Sequence, residues 1–299
     1  MYPSRFRYEA PRSLDEAIAL LRDGGDDAKV LAGGQSLVPM MKLRFASPEL
    51  LVDINGLPGL DYHVAEPDGS LHVGALCRHA DLEWSPLLKS SQPTMAAAAP
   101  VIADPLVRNR GTLVGSLCHA DPQGDWAAVM LALGGSVVAQ GPSGKRVIPL
   151  TDFVTGPFTN TLEHDEIAVE AVVPAARGLR AGGYLKLERR VGDFATCGVA
   201  VAIETAPASG TVTRAGIALS GVGGATINAT EAAAALTGQP LTPGTISAAA
   251  DRAASTARPK TDHRGSAEYK RHMVRMFVAR ILNGTAPTAG AAGAAGKAA

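Results

Sequence analysis

The first strong pattern of hydrophobic and polar positions lies near the amino terminus, in the stretch SLDEAIALLRDGG at residues 13–25. Apolar residues recur there at the spacing of one helix face, at Leu14, Ala17, Ile18 and Leu21. Ser13 followed three residues later by Glu16 is the signature of a capping box, and two glycines end the pattern. The stretch therefore predicts an amphipathic helix with defined ends.

Short hydrophobic runs that are typical of strands follow this helix. AKVLAGG and ELLVDING predict two strands, so that residues 1–57 form helix, strand, loop and strand. In residues 58–177, LHVGAL, SVVAQG, KRVIPL and EIAVEAVVP predict strands. CRHADLEWSPLLKS, TMAAAAPVIAD and DWAAVMLALGG predict helices, the second of them interrupted at Pro100. This part of the chain therefore mixes both kinds of element.

The order of the predicted elements changes near residue 178. YLKLERR, GVAVAIE and TRAGIALSGVG predict strands, and NATEAAAALTG, PGTISAAADRAAS and SAEYKRHMVRMFVARILNG predict helices. Strands followed by helices are typical of a separate α+β domain, here residues 178–284. In the last helix we expect one apolar face, made of Tyr269, Met273, Met276, Phe277 and Leu282. Residues 285–299 are of low complexity and predict a disordered tail.

Composition narrows the class of protein. The chain has 299 residues, enough for two or three domains, and 46% of them are hydrophobic, so that a sizeable core can form. Its 28 basic and 28 acidic residues balance, which argues against binding to nucleic acids or membrane surfaces through clustered positive charge. No apolar run reaches the roughly 18 residues of a membrane span, and the first residues lack the core of a signal peptide. We therefore expect a cytoplasmic protein.

Cysteine and histidine patterns favour neither a metal centre nor a disulfide framework. Cys77, Cys118 and Cys197 lie far apart, whereas an iron–sulfur cluster needs closely organised thiolates, so we expect three buried thiols. The tripeptide His-Ala-Asp occurs at residues 79–81 and 119–121. Such pairs offer too few ligands for zinc, and we expect His119 and Asp121 to brace the neighbouring loop by hydrogen bonds.

Two glycine-rich stretches carry the clearest candidate chemistry. LAGGQSLVPMMK, residues 31–42, follows a predicted strand, and VRNRGTLVGSLCHADPQGDWAAVMLAL, residues 107–133, leads into a predicted helix. Glycines and small hydroxyl residues let backbone N–H groups approach a ligand, and two such loops could hold an elongated diphosphate from two sides. Because glycine loops at strand ends are most often simple turns, the pattern alone leaves both interpretations open.

Charge near these loops also leaves alternatives. Neither loop itself, AGGQS at residues 32–36 or GTLVGS at residues 111–116, contains a lysine, so the charge of a bound diphosphate would be balanced mainly by backbone dipoles. This suits a stably held cofactor better than a nucleotide that is hydrolysed. Arg108 and Arg110 precede the second loop and could face the phosphates, an acidic partner or solvent.

The two motifs together resemble those of a known family. AGGQSLVPMMKLR followed by RNRGTLVGSLCHADPQGDWAAVMLAL is similar to the flavoprotein, or medium, subunit of the molybdenum hydroxylases, the family of xanthine dehydrogenase and aerobic carbon monoxide dehydrogenase. YLKLERRVGDFATCGVAVAI and GIALSGVGGATINATEAAAALTG resemble the C-terminal domain of the same subunit. The resemblance implies an α+β protein with a vanillyl-alcohol-oxidase (PCMH) type FAD-binding fold in two subdomains, residues 1–57 and 58–177. Residues 178–284 would form a domain of the carbon monoxide dehydrogenase flavoprotein type.

The resemblance also implies which residues bind FAD. Matching the motifs position by position gives Ala32, Gly33, Gly34, Gln35 and Ser36 in the first loop, and Gly111, Thr112, Leu113, Val114, Gly115 and Ser116 in the second. Both loops would hold the diphosphate, and the second would also line the ribityl chain. Asp125 would bind cofactor hydroxyls, and Lys186 would lie near the flavin, where a cation could stabilise its anionic reduced form. Ile102, at the adenine end, and Val169 would make apolar contacts.

The sequence departs from the family pattern at two positions. Val114 replaces the first of two glycines that are usual in the second loop. Because a β-branched residue tolerates a positive φ poorly, we expect extended backbone at this position. Phe194 stands where close relatives often carry a tyrosine near the flavin ring, so this chain lacks a hydroxyl that could shape oxygen access.

By the same resemblance the chain would be the electron-transfer subunit of a dimer of heterotrimers. A large partner subunit would hold a molybdenum–cytosine dinucleotide and oxidise the substrate, and a small partner would hold two [2Fe–2S] clusters. Electrons would pass from the clusters to FAD and then to quinone, NAD or oxygen. Because the flavin carries the chemistry, no side chain is expected to act as a catalytic group.

The substrate of the complex and two other functions stay open. Carbon monoxide is the first expectation, with an aldehyde or an N-heterocycle as alternatives. A stand-alone flavin oxidase and a scaffold that has lost its flavin are the other two possibilities. The expected location is the cytoplasm, or the inner face of the membrane through the partner subunits.

Overall fold

The computed structural model describes residues 2–285 and confirms an α+β architecture. Three β-sheets follow one another along the chain, and helices pack beside each of them. Within these residues, no helix combines the length and the apolar character that crossing a membrane requires. The predicted tail lies outside the described residues, except for Thr285, which ends the last helix.

The first sheet has three parallel strands, in the order β1-β3-β2. In chain order its elements are β1 (Arg7–Glu9), α1 (Leu14–Gly24), β2 (Ala28–Leu31), α2 (Leu37–Lys42) and β3 (Leu50–Asp53). The hydroxyl of Ser13 accepts a hydrogen bond from the backbone N–H of Glu16 at 3.2 Å, so α1 begins where its cap predicts. Neither β1 nor α2 was predicted, because both are short and largely exposed and lack a clear hydrophobic period.

The second sheet has five antiparallel strands in the order β4-β5-β10-β6-β7. In chain order this part of the chain comprises β4 (His63–Ala65), β5 (Leu71–Gly74), α3 (His79–Trp84), α4 (Pro86–Ser91), α5 (Pro93–Ala98), α6 (Pro105–Arg108), α7 (Leu113–His119), α8 (Asp125–Leu133), β6 (Ser136–Gly141), β7 (Gly144–Pro149), α9 (Leu150–Phe153), β8 (Val154–Gly156), β9 (Thr159–Asn160) and β10 (Ile167–Val173). The strands β8 and β9 form a separate hairpin. After α5 the chain makes a 3₁₀ turn that contains Pro100, as the predicted interruption requires.

The third sheet is antiparallel, in the order β11-β12-β13-β14, and three helices follow it. Its elements are β11 (Leu179–Leu187), β12 (Cys197–Thr205), β13 (Val212–Ser220), β14 (Ile227–Asn228), α10 (Thr230–Ala234), α11 (Pro243–Thr256) and α12 (Ala267–Thr285). The predicted order of strands and then helices is confirmed.

The predicted apolar face of α12 is confirmed for Phe277 and Leu282, which are buried, and for Met273, which packs against the core, but it is wrong for Tyr269 and Met276. The buried side chains are Lys270, Val274, Phe277, Val278, Ile281 and Leu282, whereas Tyr269 and Met276 are exposed. Val274, Phe277, Val278, Ile281 and Leu282 have the spacing of one helix face, which the predicted set matched only in part. Lys270 is buried on the same face because its ammonium group donates to the Asp262 carboxylate at 2.7 Å and to the Lys260 carbonyl at 3.0 Å.

The strand β12 is buried on both faces and joins the two cores of the molecule. Ala200 and Ala202 belong to the core that includes α8, whereas Val199 and Val201 belong to the core that includes α11 and α12. Small residues on the α8 side let helix and sheet approach closely. At Gly216 of β13, a Cβ atom would collide with the carbonyl oxygen of Ala132 in α8. The third sheet is therefore packed directly onto the second part of the chain.

We expect Gly216→Ala to lower the free energy of unfolding by about 1–3 kcal/mol, because the added methyl group would press on helix backbone that has little room to move. Thermal and denaturant unfolding would measure the change. Gly224→Ala is the matched control, since open space surrounds that position. Equal effects of the two substitutions would contradict close packing of the sheet on α8.

Candidate functional site

A cavity of about 620 Å³ lies where the three parts of the chain meet. The first loop, residues 32–36, joins β2 to α2, and the second loop, residues 111–116, leads into α7. Asp125 is the first residue of α8, and Lys186 lies on β11. Thirteen of the fifteen predicted site residues line this cavity: Ala32, Gly33, Gly34, Gln35, Ser36, Ile102, Gly111, Thr112, Val114, Gly115, Ser116, Asp125 and Lys186.

Two predicted site residues do not line the cavity. Leu113 is fully buried in the hydrophobic core. Val169 lies at an irregularity of β10, between the paired residues Ala168 and Glu170, and its carbonyl accepts a hydrogen bond from Ala75. Such a bulge bends the strand. It brings Ala168 rather than Val169 to the cavity wall.

Val114 is helical, so the prediction of extended backbone at this position is wrong. The side chain of Thr112 accepts a hydrogen bond from the N–H of Gly115 at 3.0 Å and caps α7, whose second residue is Val114. A helical φ is negative and suits a β-branched residue, so valine needs no special geometry here. Phe194, the other departure, is half-exposed at the cavity wall.

The backbone of the first loop presents free donors to the cavity. Gly34 has a φ of 73°, in the left-handed region. Gln35 and Ser36 then lead into α2. No described group accepts a hydrogen bond from the backbone N–H groups of residues 33–36. Successive N–H groups around a left-handed residue form a concave nest that favours anions. The first loop therefore has the geometry of an anion-binding site without a basic side chain.

The two loops touch each other directly at Gly33. A Cβ atom there would collide with the carbonyl oxygen of Arg110 and lie 2.8 Å from the Cα atom of Gly111. The sequence pattern predicts glycine at this place so that the backbone can approach a ligand. The structure adds a second reason, because a side chain would also push the two loops apart.

Arg78 bridges the same two loops from the side. Its Nη1 donates to the Arg110 carbonyl at 2.7 Å, and its Nη2 donates to Oδ1 of Asn55 at 2.6 Å. Asn55 in turn donates from Nδ2 to the Ala32 carbonyl of the first loop at 2.8 Å. Burial, followed by the neighbouring Arg110 charge, lowers the pKa of Arg78. The guanidinium thus fixes the spacing of the loops through one chain of hydrogen bonds.

A buried cluster of charged residues includes Asp125 and Lys186, which both line the cavity. The Tyr184 hydroxyl donates to Asp125 at 2.5 Å, and the Lys186 ammonium lies 3.3 Å from the same carboxylate and 3.4 Å from Glu188. Burial raises the pKa of Asp125, while the Lys186 charge and the Tyr184 hydrogen bond act against this rise. Burial also raises the pKa of Tyr184, so its hydroxyl stays a donor. The charge of Lys186 is therefore balanced within the protein.

Ile102 and Lys186 lie near each other in the cavity wall. Lys186 donates to the carbonyl of Val101 at 2.9 Å, next to Ile102. The contacts of Ile102 with the adenine end and of Lys186 with the flavin stay predictions. Arg108 stabilises this segment, donating to the carbonyls of Ile102 and Ala103 at 3.0 Å each.

Arg108 also pairs with Glu83 at 2.7 Å and is buried. This arginine consequently faces neither a partner, a phosphate nor solvent, and all three of its predicted surroundings are wrong. The Arg108 guanidinium is held inside the protein by these hydrogen bonds, so we assign it a structural role. Arg110, in contrast, is exposed.

The His119 and Asp121 pair does not brace the loop as predicted. The His119 ring packs against Phe158 at 5.2 Å between centroids, and Asp121 accepts a hydrogen bond from Gln123 within its own turn. The β8–β9 hairpin supports the end of α7 instead, since Asn160 donates to the Cys118 carbonyl at 2.7 Å.

The three cysteines are free thiols. Cys77 and Cys197 are buried, as predicted, whereas Cys118 is only partly buried and lines the cavity. Burial raises the pKa of each thiol to about 12. All three therefore stay protonated near neutral pH.

Sequence reasoning did not find Arg78, Asn55, Tyr184 and Glu188. The first three act through partners that are distant along the chain: Arg78 lies 32 positions from Arg110, and Tyr184 lies 59 positions from Asp125. No local motif reports such contacts. Glu188 contacts Lys186, two positions away. For Tyr184 the only available signal was its position two residues before Lys186, which puts both side chains on the same face of β11.

Comparison with known proteins gives a consistent result over nearly the whole chain. Residues 4–176 match the family model of the FAD binding domain in molybdopterin dehydrogenase, and residues 183–285 match that of the CO dehydrogenase flavoprotein C-terminal domain. The carbon monoxide dehydrogenase medium chain of Hydrogenophaga pseudoflava is 42% identical over 283 residues, which cover 95% of this chain and 98% of the relative. The 6-hydroxypseudooxynicotine dehydrogenase complex subunit alpha of Paenarthrobacter nicotinovorans is 40% identical, with 94% and 95% covered.

A solved structure gives the same result for the fold. Carbon monoxide dehydrogenase from Hydrogenophaga pseudoflava, in a form that lacks the Mo-pyranopterin moiety of its cofactor, contains a chain with a TM-score of 0.90 and 44% identity. The match covers 95% of this chain and 98% of that one. The predicted fold, two FAD-binding subdomains followed by a flavoprotein C-terminal domain, is thereby confirmed.

We expect Arg78→Lys to destabilise the two-loop junction by about 1–2 kcal/mol, because one ammonium group cannot make both bonds of the guanidinium fork. Thermal unfolding and amide exchange of residues 32–36 would report it. Arg271→Lys, an exposed position on α12, is the control. Unchanged exchange in the first loop would show that Arg78 does not hold it.

Proposed function

The chain belongs to the family of FAD-binding medium subunits of the molybdenum hydroxylases, and we propose that its cavity holds FAD and relays electrons from partner subunits to an external acceptor. It is an FAD-dependent oxidoreductase subunit. The observation that supports the proposal most strongly is the single cavity that collects both glycine loops together with Asp125 and Lys186.

The residues present fit FAD. The first loop offers four successive N–H groups with no described acceptor, which suit a diphosphate. The second loop lines the cavity of about 620 Å³ with glycines or small hydroxyl residues at Gly111, Thr112, Gly115 and Ser116. Donors and space thus occur together where the family motifs lie.

We assign roles to the lining residues by their chemistry. Residues 33–36 would hold the diphosphate through backbone N–H groups, and Ser36 can add its hydroxyl. Asp125, oriented by Tyr184 and Lys186, presents a carboxylate that suits cofactor hydroxyls. Ile102, Val114 and Ala168 supply apolar wall.

FAD, when bound, supplies an electron carrier that exchanges either one or two electrons. The chain's own residues hold it in place and set the charge around it. We propose that the donor is a small partner with two [2Fe–2S] clusters, which is reduced by a large partner with a molybdenum–cytosine dinucleotide. The assembly would be a dimer of heterotrimers, with quinone, NAD or oxygen as the acceptor. The site of action is expected to be the cytoplasm or the inner face of the membrane through these partners.

For the overall substrate we propose carbon monoxide, with an aldehyde or an N-heterocycle as the alternative. The names of the two relatives favour carbon monoxide and a nicotine derivative, at 42% and 40% identity respectively. A stand-alone flavin oxidase is disfavoured, because both relatives are named as chains of larger assemblies.

The substrate is tested on the complex purified with its co-expressed partners. We expect reduction of an artificial electron acceptor to depend on carbon monoxide. Reduction that depends instead on an aldehyde or an N-heterocycle would replace carbon monoxide as the substrate and leave the FAD proposal unaffected.

The FAD proposal is tested by substitution in the first loop. We expect the purified chain to show a two-banded flavin spectrum and to release FAD on acid precipitation. Gly34→Ala should weaken FAD binding at least tenfold, because alanine disfavours the left-handed φ that forms the nest. The matched control is Gly210→Ala, which imposes the same strain at a φ of 67° outside the cavity. Unchanged FAD affinity in Gly34→Ala would remove the first loop from the site.

A further inference from the structure

His79 occupies a position in the cavity wall that the predicted binding residues do not explain. It is the first residue of α3 and is only 5% exposed. Its backbone N–H donates to the Gly111 carbonyl at 2.9 Å, which holds the start of α3 against the second loop. Its ring lines the cavity between this loop and the buried Trp126.

The partner of Nδ1 fixes the tautomer of the ring. The indole Nε1 of Trp126 lies 3.0 Å from Nδ1 of His79. An indole nitrogen can only donate, so Nδ1 must accept, and a neutral ring then carries its proton on Nε2. Burial, helped by the charges of Arg108 and Arg78, lowers the pKa of His79 to about 4, so the ring is neutral near neutral pH.

The Nε2–H group is a donor without a protein partner. No described residue accepts a hydrogen bond from it, although the ring is buried. The Cδ2–Nε2 edge of the ring packs against Gly111, where a Cβ atom would lie 2.8 Å from both atoms, so glycine lets His79 sit beside the second loop. Nε2 is not among the fully enclosed side-chain atoms that lack a partner, so it is accessible from the cavity, where an oxygen of a ligand can accept its hydrogen bond.

We propose that His79 is a further cofactor-binding residue, whose Nε2–H donates a hydrogen bond to a diphosphate or ribityl oxygen of FAD beside Gly111. Trp126 is its positioning residue, because the indole N–H keeps the proton on Nε2. The inference rests on the proposed function, since it requires FAD in this cavity. The imidazole N–H would thus bind the cofactor beside the second loop, as backbone N–H groups would in the first loop.

The first test measures FAD affinity of the full chain by flavin fluorescence. We expect His79→Phe, which fills the space without a donor, to raise the Kd about 10- to 100-fold. His79→Gln, whose side-chain amide places an N–H at a similar reach, should recover most of the affinity. The control is His63→Phe, which removes a hydrogen-bonded histidine that does not line the cavity. Equal affinity of wild type and His79→Phe would overturn the proposal.

A second measurement does not depend on variants that fold. In the wild-type chain with ¹⁵N-labelled histidine, His79 should show the tautomer with its proton on Nε2, and that nitrogen should shift when FAD binds. A proton on Nδ1, or an Nε2 signal that FAD leaves unchanged at saturation, would overturn the proposal. A wild-type chain that binds no FAD would instead contradict the proposed function, on which the inference rests.

Discussion

The contact of Gly33 with the backbone of Arg110 and Gly111 is the constraint on which the site depends. It exists only because residue 33 has no side chain, and it sets two loops from different subdomains at backbone distance. Arg78 and Asn55 then tie the carbonyls of Arg110 and Ala32 together. The N–H groups of residues 33–36, which line the cavity, have no acceptor among the described residues. The same arrangement therefore packs the two loops together and leaves these donors free.

The third sheet completes the site from outside the two loops. Its strand β11 carries Tyr184 and Lys186 to Asp125, and the small residues of β12 and β13 allow α8 close enough for these bonds. A carboxylate buried as deeply as Asp125 needs such partners, because desolvation alone would neutralise it. The C-terminal domain therefore does more than cover the sheet, since it sets the ionisation of a cavity residue.

Sequence reasoning succeeded where the signal was local and failed where a distant partner decided the outcome. The cap at Ser13 and the run from Asp125 define helices by neighbouring residues, and both helices begin where predicted. In contrast, the burial of Arg108 depends on its pair with Glu83, 25 positions away, which no local spacing reveals. Ten of the eleven residues in the two loop motifs line the cavity, because the whole glycine segments were matched. Val169 missed the cavity because a bulge shifts the strand there, and a bulge has no clear sequence signature.

The charge balance at Lys186 changes what this residue can do for a flavin. Two carboxylates, Asp125 and Glu188, lie within 3.4 Å of its ammonium group, so the three groups carry one negative charge when all are ionised. A cation compensated in this way exerts a weaker field on a neighbouring ligand than a free one. Stabilisation of an anionic reduced flavin by Lys186 alone is therefore disfavoured. Its clearer role is within the protein, where its charge opposes the rise that burial causes in the pKa of Asp125 and its hydrogen bond orients that carboxylate.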